Sequence, residues 1–185
     1  IFKCHWSMPY QRQKFDVDFK DKKLVVNISG NKISKKKHEL YSQRLKTIKY
    51  FENNYLEEFD LYGTGWDKIN HPSYNGVIGN KSEVLKNYKF TLCYENMENI
   101  DGYITEKMFD CFYANTVPIY WGGNNIQEYV PAECFINKKD FENDEALLKH
   151  LLNISESEYN LKIAAINNYL DSEKYKVFLP GNYSN

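Results

Sequence analysis

The chain has 185 residues, with 24 basic against 25 acidic side chains, so it can bury a real core without disulfides or metal. Its near-neutral charge argues against broad binding to nucleic acid or a membrane surface. Aromatic residues reach 16%, mostly Tyr, and Lys and Asn are abundant, a composition that AT-rich coding alone would produce.

Cys4, Cys93, Cys111 and Cys134 form no CxxC pair, and His5, His38, His71 and His150 are scattered. Buried free thiols are expected rather than a zinc site. No apolar run is long enough to span a bilayer. The first residue is Ile, so a processed product or a piece of something longer is expected, and a targeting segment would not be visible.

Residues 1–22 read as a leading segment or the end of a preceding domain, with Trp6, Pro9, Phe15 and Phe19 as anchors. Lys22–Asn31 predicts a first strand, β-branched at its centre and closed by Ser29-Gly30-Asn31. Lys35–Glu58 predicts a helix with Tyr41, Leu45, Ile48, Phe51 and Tyr55 on its packed face and Arg44 off it. Its lysine run, Lys35 to Lys37, reads as a solvated helix start. Phe59–Trp66 predicts a second strand. A loop with Pro72, Gly76 and Gly79 follows, then a short helix at 81–87 capped by Asn80 or Ser82.

Lys89–Tyr94, Thr116–Trp121 and Glu133–Asn137 predict three further strands. Pro118 suits an edge or a strand start. Two helices follow, one with Leu147, Leu148, Leu151 and Leu152 on its stripe, the other with Tyr159, Ile163, Ile166 and Leu170. Ser155 with Glu158 forms a capping box for the second. Residues 171–185 read as a tail. The alternation of strands and helices predicts an α/β fold, a Rossmann-like parallel sheet covered on both faces, spanning residues 23–170.

Between the third and fourth predicted strands lies the most informative stretch. As a helix at about 100° per residue, 103–115 gathers Ile104, Met108, Cys111 and Phe112 on one side and Tyr103, Glu106, Lys107 and Asp110 on the other. The polar group lies at the helix N-terminus beyond a strand, where ligands of open α/β sheets bind. Lys107 would neutralise a phosphate, Glu106 would accept ribose or sugar hydroxyls, and Tyr103 would stack or hydrogen-bond. An ordinary exposed face of an amphipathic helix explains the same pattern equally well.

Several ordered blocks then carry a resemblance: Tyr94-Glu95-Asn96, Tyr103-Ile104-Thr105-Glu106-Lys107, Val117-Pro118-Ile119-Tyr120-Trp121-Gly122, Phe135-Ile136-Asn137 and Asp140-Phe141. Together they resemble the donor-binding half of the family 10 α1,3/4-fucosyltransferases. The match is strong over about residues 88–141 and loose over 22–60. It implies the C-terminal half of a GT-B glycosyltransferase, with GDP-fucose as donor held by Arg44, Asn96, Tyr103, Glu106 and Lys107. It implies no metal cofactor and an inverting transfer to a glycan acceptor containing N-acetylglucosamine or glucose. The general base would lie in an acceptor domain upstream, so no catalytic residue is expected within this chain. Glu95 reads as a strand-end acid that positions the loop.

A GT-B transferase using another nucleotide sugar, or a non-catalytic nucleotide-binding module, are the alternatives. Bacterial members imply a cytoplasmic or peripheral inner-membrane setting; animal and plant members imply the lumenal side of the Golgi membrane. Sequons begin at Asn27, Asn80, Asn153 and Asn182, as chance allows in an Asn-rich chain.

Overall fold

A computed structural model describes residues 17–179. The expectations for Cys4, His5, Trp6, Pro9, Phe15 and the Asn182 sequon fall outside these residues. Five strands form one parallel sheet: β1 (Lys23–Ile28), β2 (Phe59–Tyr62), β3 (Tyr88–Tyr94), β4 (Val117–Trp121) and β5 (Ile136–Asn137). Their spatial order is β2-β1-β3-β4-β5. The helices are α1 (Tyr41–Asn54), α2 (Lys81–Leu85), α3 (Glu106–Tyr113), α4 (Ile126–Tyr129), α5 (Asp144–Asn153), α6 (Glu156–Leu170) and α7 (Glu173–Lys176).

The expected α/β architecture is present. Residues Leu24 to Asn27 of β1 are all buried, the mark of a strand covered on both faces. Side chains alternate across a strand. Val25 accordingly joins the main core, which includes Ile48 and Phe51 of α1. Val26 joins a smaller one with Leu85 of α2 and Ala114 beyond α3. From β1 the chain moves to β2 on one side, while β3, β4 and β5 extend the sheet on the other. The order therefore reverses between β1 and β3, and the loops leaving those two strands diverge there. Such a switch point opens a crevice at the carboxyl edge.

Several boundaries and faces need correction. The helix predicted from Lys35 begins at Tyr41 and ends at Asn54. Residues before it form a turn through His38, whose φ of 66° is incompatible with a helix. The packed face of α1 is Arg44, Thr47, Ile48, Phe51 and Glu52, while Leu45 is 37% exposed. Polar side chains occupy this buried stripe because each finds a partner: Thr47 Oγ1 lies 3.0 Å from Asp144 Oδ1, and Glu52 accepts from Ser73 Oγ at 2.7 Å. The second strand stops at Tyr62 rather than Trp66. Gly63 follows at φ 127°, and a Cβ there would meet Ser29 O at 2.0 Å.

Of the two settings expected for Pro118, the strand start holds: it is the second residue of β4, which runs between β3 and β5. The ring is tolerated because β5 pairs only with Ile119 and Tyr120, leaving the start of β4 open on that side. The Asn80 cap and the Ser155–Glu158 capping box form as expected. Cys93, Cys111 and Cys134 are free and buried. Beyond α6, Tyr175 and Phe178 return to the core, and the Phe178 ring packs on Phe109 with centroids 4.8 Å apart.

Phe51 is fully buried and stacks on Phe59 at 5.3 Å, tying α1 to the sheet. Phe51→Ala should cost about 3–5 kcal/mol in urea unfolding. Leu161→Ala, at a residue 68% exposed, should cost less than about 0.5 kcal/mol.

Candidate functional site

The carboxyl end of β3 is organised by Glu95, which is fully buried. Its backbone N–H donates to Trp121 O at 2.8 Å, so it continues the sheet beside the end of β4. Its carboxylate turns toward the start of α3. The Thr105 N–H donates to Oε1 at 2.9 Å, and the Thr105 hydroxyl reaches Oε2 at 2.8 Å. Lys107 Nζ lies 3.0 Å from Oε2 and also 3.0 Å from Thr105 Oγ1. One buried acid thus satisfies the orphan N–H at the N-cap position, the hydroxyl and the ammonium together. Gly122 is required by this packing, because a Cβ there would meet Glu95 Cγ at 2.8 Å and Tyr120 OH at 2.4 Å.

Arg44 approaches the same strand end from α1. Its Nη2 donates to the carbonyls of Tyr94 at 3.1 Å and Glu95 at 3.2 Å. The guanidinium lies 5.4 Å from the centre of the Tyr41 ring. Burial pulls its pKa down, opposed by Tyr41 and Glu95, and an arginine remains charged regardless. Directly beyond Glu95, the Asn96 carbonyl accepts from Leu40 N at 3.0 Å, and the His38 carbonyl accepts from Glu98 N at 2.9 Å. These bonds tie the loop after β3 to the turn before α1.

A crevice of about 520 Å³ opens between the two tied loops, walled by Lys32, Lys36, Tyr41, Asn96 and Tyr103. Asn96 Nδ2 lies 3.5 Å from the Tyr103 hydroxyl across it. Burial, then the nearby Glu95 charge, raises the Tyr103 pKa. Glu106 opens α3, half-buried, and its carboxylate has no hydrogen-bond or ion-pair partner among the described residues.

Of the five residues expected to hold a ligand, Asn96 and Tyr103 share the crevice wall. Arg44 grips the carbonyls immediately before Asn96, and Lys107 is paired with Glu95. Tyr103 precedes α3 rather than belonging to it, since the helix starts at Glu106. Sequence reasoning missed Thr105 as the link between Glu95 and Lys107, although its place between Tyr103 and Glu106 was a signal. It also missed Tyr41 and the lysines of the β1–α1 loop as parts of the wall.

A second cavity of about 570 Å³ lies between α1 and the loops after β4 and β5, and holds none of the expected residues. Its floor carries a buried Lys138–Asp144 pair at 3.3 Å. Among the described residues, no three His, Cys, Asp or Glu side chains are grouped to hold a metal ion.

An open parallel sheet with a crevice at its switch point defines a doubly wound α/β domain of the kind that binds nucleotides at its carboxyl edge. The family model for glycosyltransferase family 10 (fucosyltransferase), C-terminal part, matches residues 17–164, and the chain belongs to that family. It is 44% identical over 71 residues to the alpha-(1,3)-fucosyltransferase FucT of Helicobacter pylori, covering 38% of this chain and 15% of that protein. It is 42% identical over 117 residues to alpha-(1,3)-fucosyltransferase 4 of Bos taurus, covering 60% of this chain and 27% of that protein. The chain therefore spans a minor part of the length of these relatives. A crystal structure of an alpha1,3-fucosyltransferase superposes with a TM-score of 0.55 at 25% identity, over 80% of this chain and 38% of that one. One of an alpha1,3-fucosyltransferase with GDP shares the fold with a TM-score of 0.60 at 20% identity, over 87% of this chain and 48% of that one.

Burial pushes the Lys107 pKa down, but the charge and hydrogen bond of Glu95 outweigh it, and the net shift is upward. A raised lysine stabilises the fold fully below its unfolded pKa and loses that contribution as pH rises through the folded value. The contribution of Lys107 to thermal stability should therefore be complete below about pH 10.4, the ordinary lysine value, and be lost as pH rises above it, and Lys107→Met should flatten that fall. Melting temperatures on both sides of that value provide the check.

Proposed function

We propose that this chain is the donor-binding part of an inverting fucosyltransferase, which moves fucose from GDP-fucose to a hydroxyl of an acceptor glycan. The observation that carries the reading is that Asn96 and Tyr103 wall a crevice at the switch point between β1 and β3, with Arg44 and Lys107 both fixed at the same strand end, in a chain of the fucosyltransferase family. Breaking the sugar–phosphate bond builds negative charge on the leaving diphosphate. Arg44 and Lys107, held rigidly by carbonyls and by Glu95, are suited to stabilise that charge without reorganising. Glu106, unengaged at the head of α3, is free to accept ribose or sugar hydroxyls and fix their orientation.

Glu95 is unsuited to be the general base. It is fully buried, and its oxygens are committed to Thr105 and Lys107, whereas a base must reach the acceptor hydroxyl. Its geometry supports the positioning role, and the reading leaves the base to an acceptor-binding region upstream. Asn27 is 1% exposed and donates to Leu92 O, so its sequon is closed in the folded chain.

Isothermal calorimetry of the 185-residue chain with GDP, GDP-fucose, GDP-mannose and a UDP-sugar tests the donor. GDP and GDP-fucose should bind. Heat from the UDP-sugar alone would make this a different nucleotide-sugar enzyme, and silence from all four would leave a fold without the donor site. Glu106→Gln should weaken GDP-fucose by about tenfold or more, as expected for a lost hydrogen bond to a charged group. Its melting temperature should fall by no more than a few degrees, because Glu106 has no hydrogen bond or ion pair to lose and only the field of the helix N-terminus and of Lys107.

A further inference from the structure

The β1–α1 loop is where the structure departs furthest from the expectation of a solvated helix start. Residues 32–37 carry Lys32, Lys35, Lys36 and Lys37 and belong to no helix or strand. The segment is pinned at both ends. Asn31 N donates to Thr64 O at 2.9 Å and Asn31 Nδ2 to Gly65 O at 3.0 Å. At the far end, Leu40 N donates to Asn96 O at 3.0 Å. The arch between these pins forms one wall of the crevice, to which Lys32 and Lys36 contribute and Lys35 and Lys37 do not. Among the described residues none of the four ammonium groups has an ion-pair partner.

The charge balance of the site gives this a consequence. Arg44 and Lys107 bring two positive charges to the end of β3, and Glu95 and Glu106 bring two negative ones. Glu39, which also feels Arg44, adds another carboxylate nearby. Without the loop, the site has no surplus of positive charge. A nucleoside diphosphate sugar arrives with two negative charges and must leave much of its hydration behind. Lys107 is held on Glu95 at 3.0 Å and cannot serve the ligand alone without exposing a buried carboxylate.

We propose that Lys32 and Lys36 are diphosphate-binding residues, the source of the site's net positive charge, which close over the phosphates from the arch opposite Asn96 and Tyr103. This rests on the donor-site reading above. Arg44 and Lys107 remain the fixed charges that stabilise the leaving group, and the two loop lysines set the affinity for the diphosphate and its salt dependence.

The test measures binding of GDP and of guanosine to the 185-residue chain at low and high salt, with three double variants. Lys32→Gln with Lys36→Gln should lower GDP affinity about tenfold and flatten its salt dependence, as loss of two exposed charge contacts would. Guanosine affinity should not change. Lys35→Gln with Lys37→Gln removes the same charge away from the crevice wall. It should change GDP affinity by less than about threefold at physiological salt, where screening acts over about 8 Å. Lys32→Arg with Lys36→Arg should restore most of the affinity. If native chain binds GDP but the Lys32/Lys36 glutamine pair binds it as tightly with the same salt slope, the proposal is overturned and the donor reading stands. Equal losses in the two glutamine pairs would overturn it in favour of a diffuse field. A parallel loss of guanosine would overturn it in favour of a distorted loop. If native chain binds no GDP, the donor reading and the proposal fall together.

Discussion

A carboxylate with no exposure to water is costly to bury, and the upper edge of this domain depends on how Glu95 is satisfied. An amide, a hydroxyl and an ammonium converge on its two oxygens, all from residues 105–107. That arrangement fixes where α3 starts and which way its first turn faces. It also requires a glycine at 122, where any side chain would occupy the space of the Glu95 stem. The Tyr94-Glu95-Asn96, Thr105-Glu106-Lys107 and Trp121-Gly122 blocks, distant in sequence, are therefore parts of one packing problem.

Around that anchor the sheet topology does the remaining placement. Because the strand order reverses between β1 and β3, the loops leaving them part and then are tied back together through Leu40, Asn96, His38 and Glu98. The result is a crevice walled by two loops, with the Arg44 guanidinium buried on the carbonyls of Tyr94 and Glu95, directly before Asn96 in sequence. Rigid charges next to a crevice cost no reorganisation when an anion arrives, which is the property that phosphate-leaving chemistry rewards. The tied loops also explain how exposed lysines on an arch can be held near the same point as a buried arginine.

Much of this was legible in the sequence. Apolar runs of strand length alternated with helical stripes, and these marked the strands and helices of the fold. What misled was the assumption that buried faces are apolar. Leu45 was assigned to the packed face of α1, yet Arg44, Thr47 and Glu52 take that stripe and Leu45 faces out. Hydropathy cannot anticipate such a reversal, because it depends on partners 50 or more residues away for Arg44 and 97 for Thr47.

The sequence by itself determined the α/β class, the order of the strands along the chain and the ordered blocks, while strand ends such as Tyr62 and the short β5 came from the structure. Only the tertiary structure decided which groups share a space. It paired Lys107 with Glu95, turned Arg44 inward onto two carbonyls, and converted a lysine run expected on a helix into one wall of a crevice. Charge pairing and burial are set by contacts between segments far apart in the chain, and no local pattern encodes the distance across which they meet.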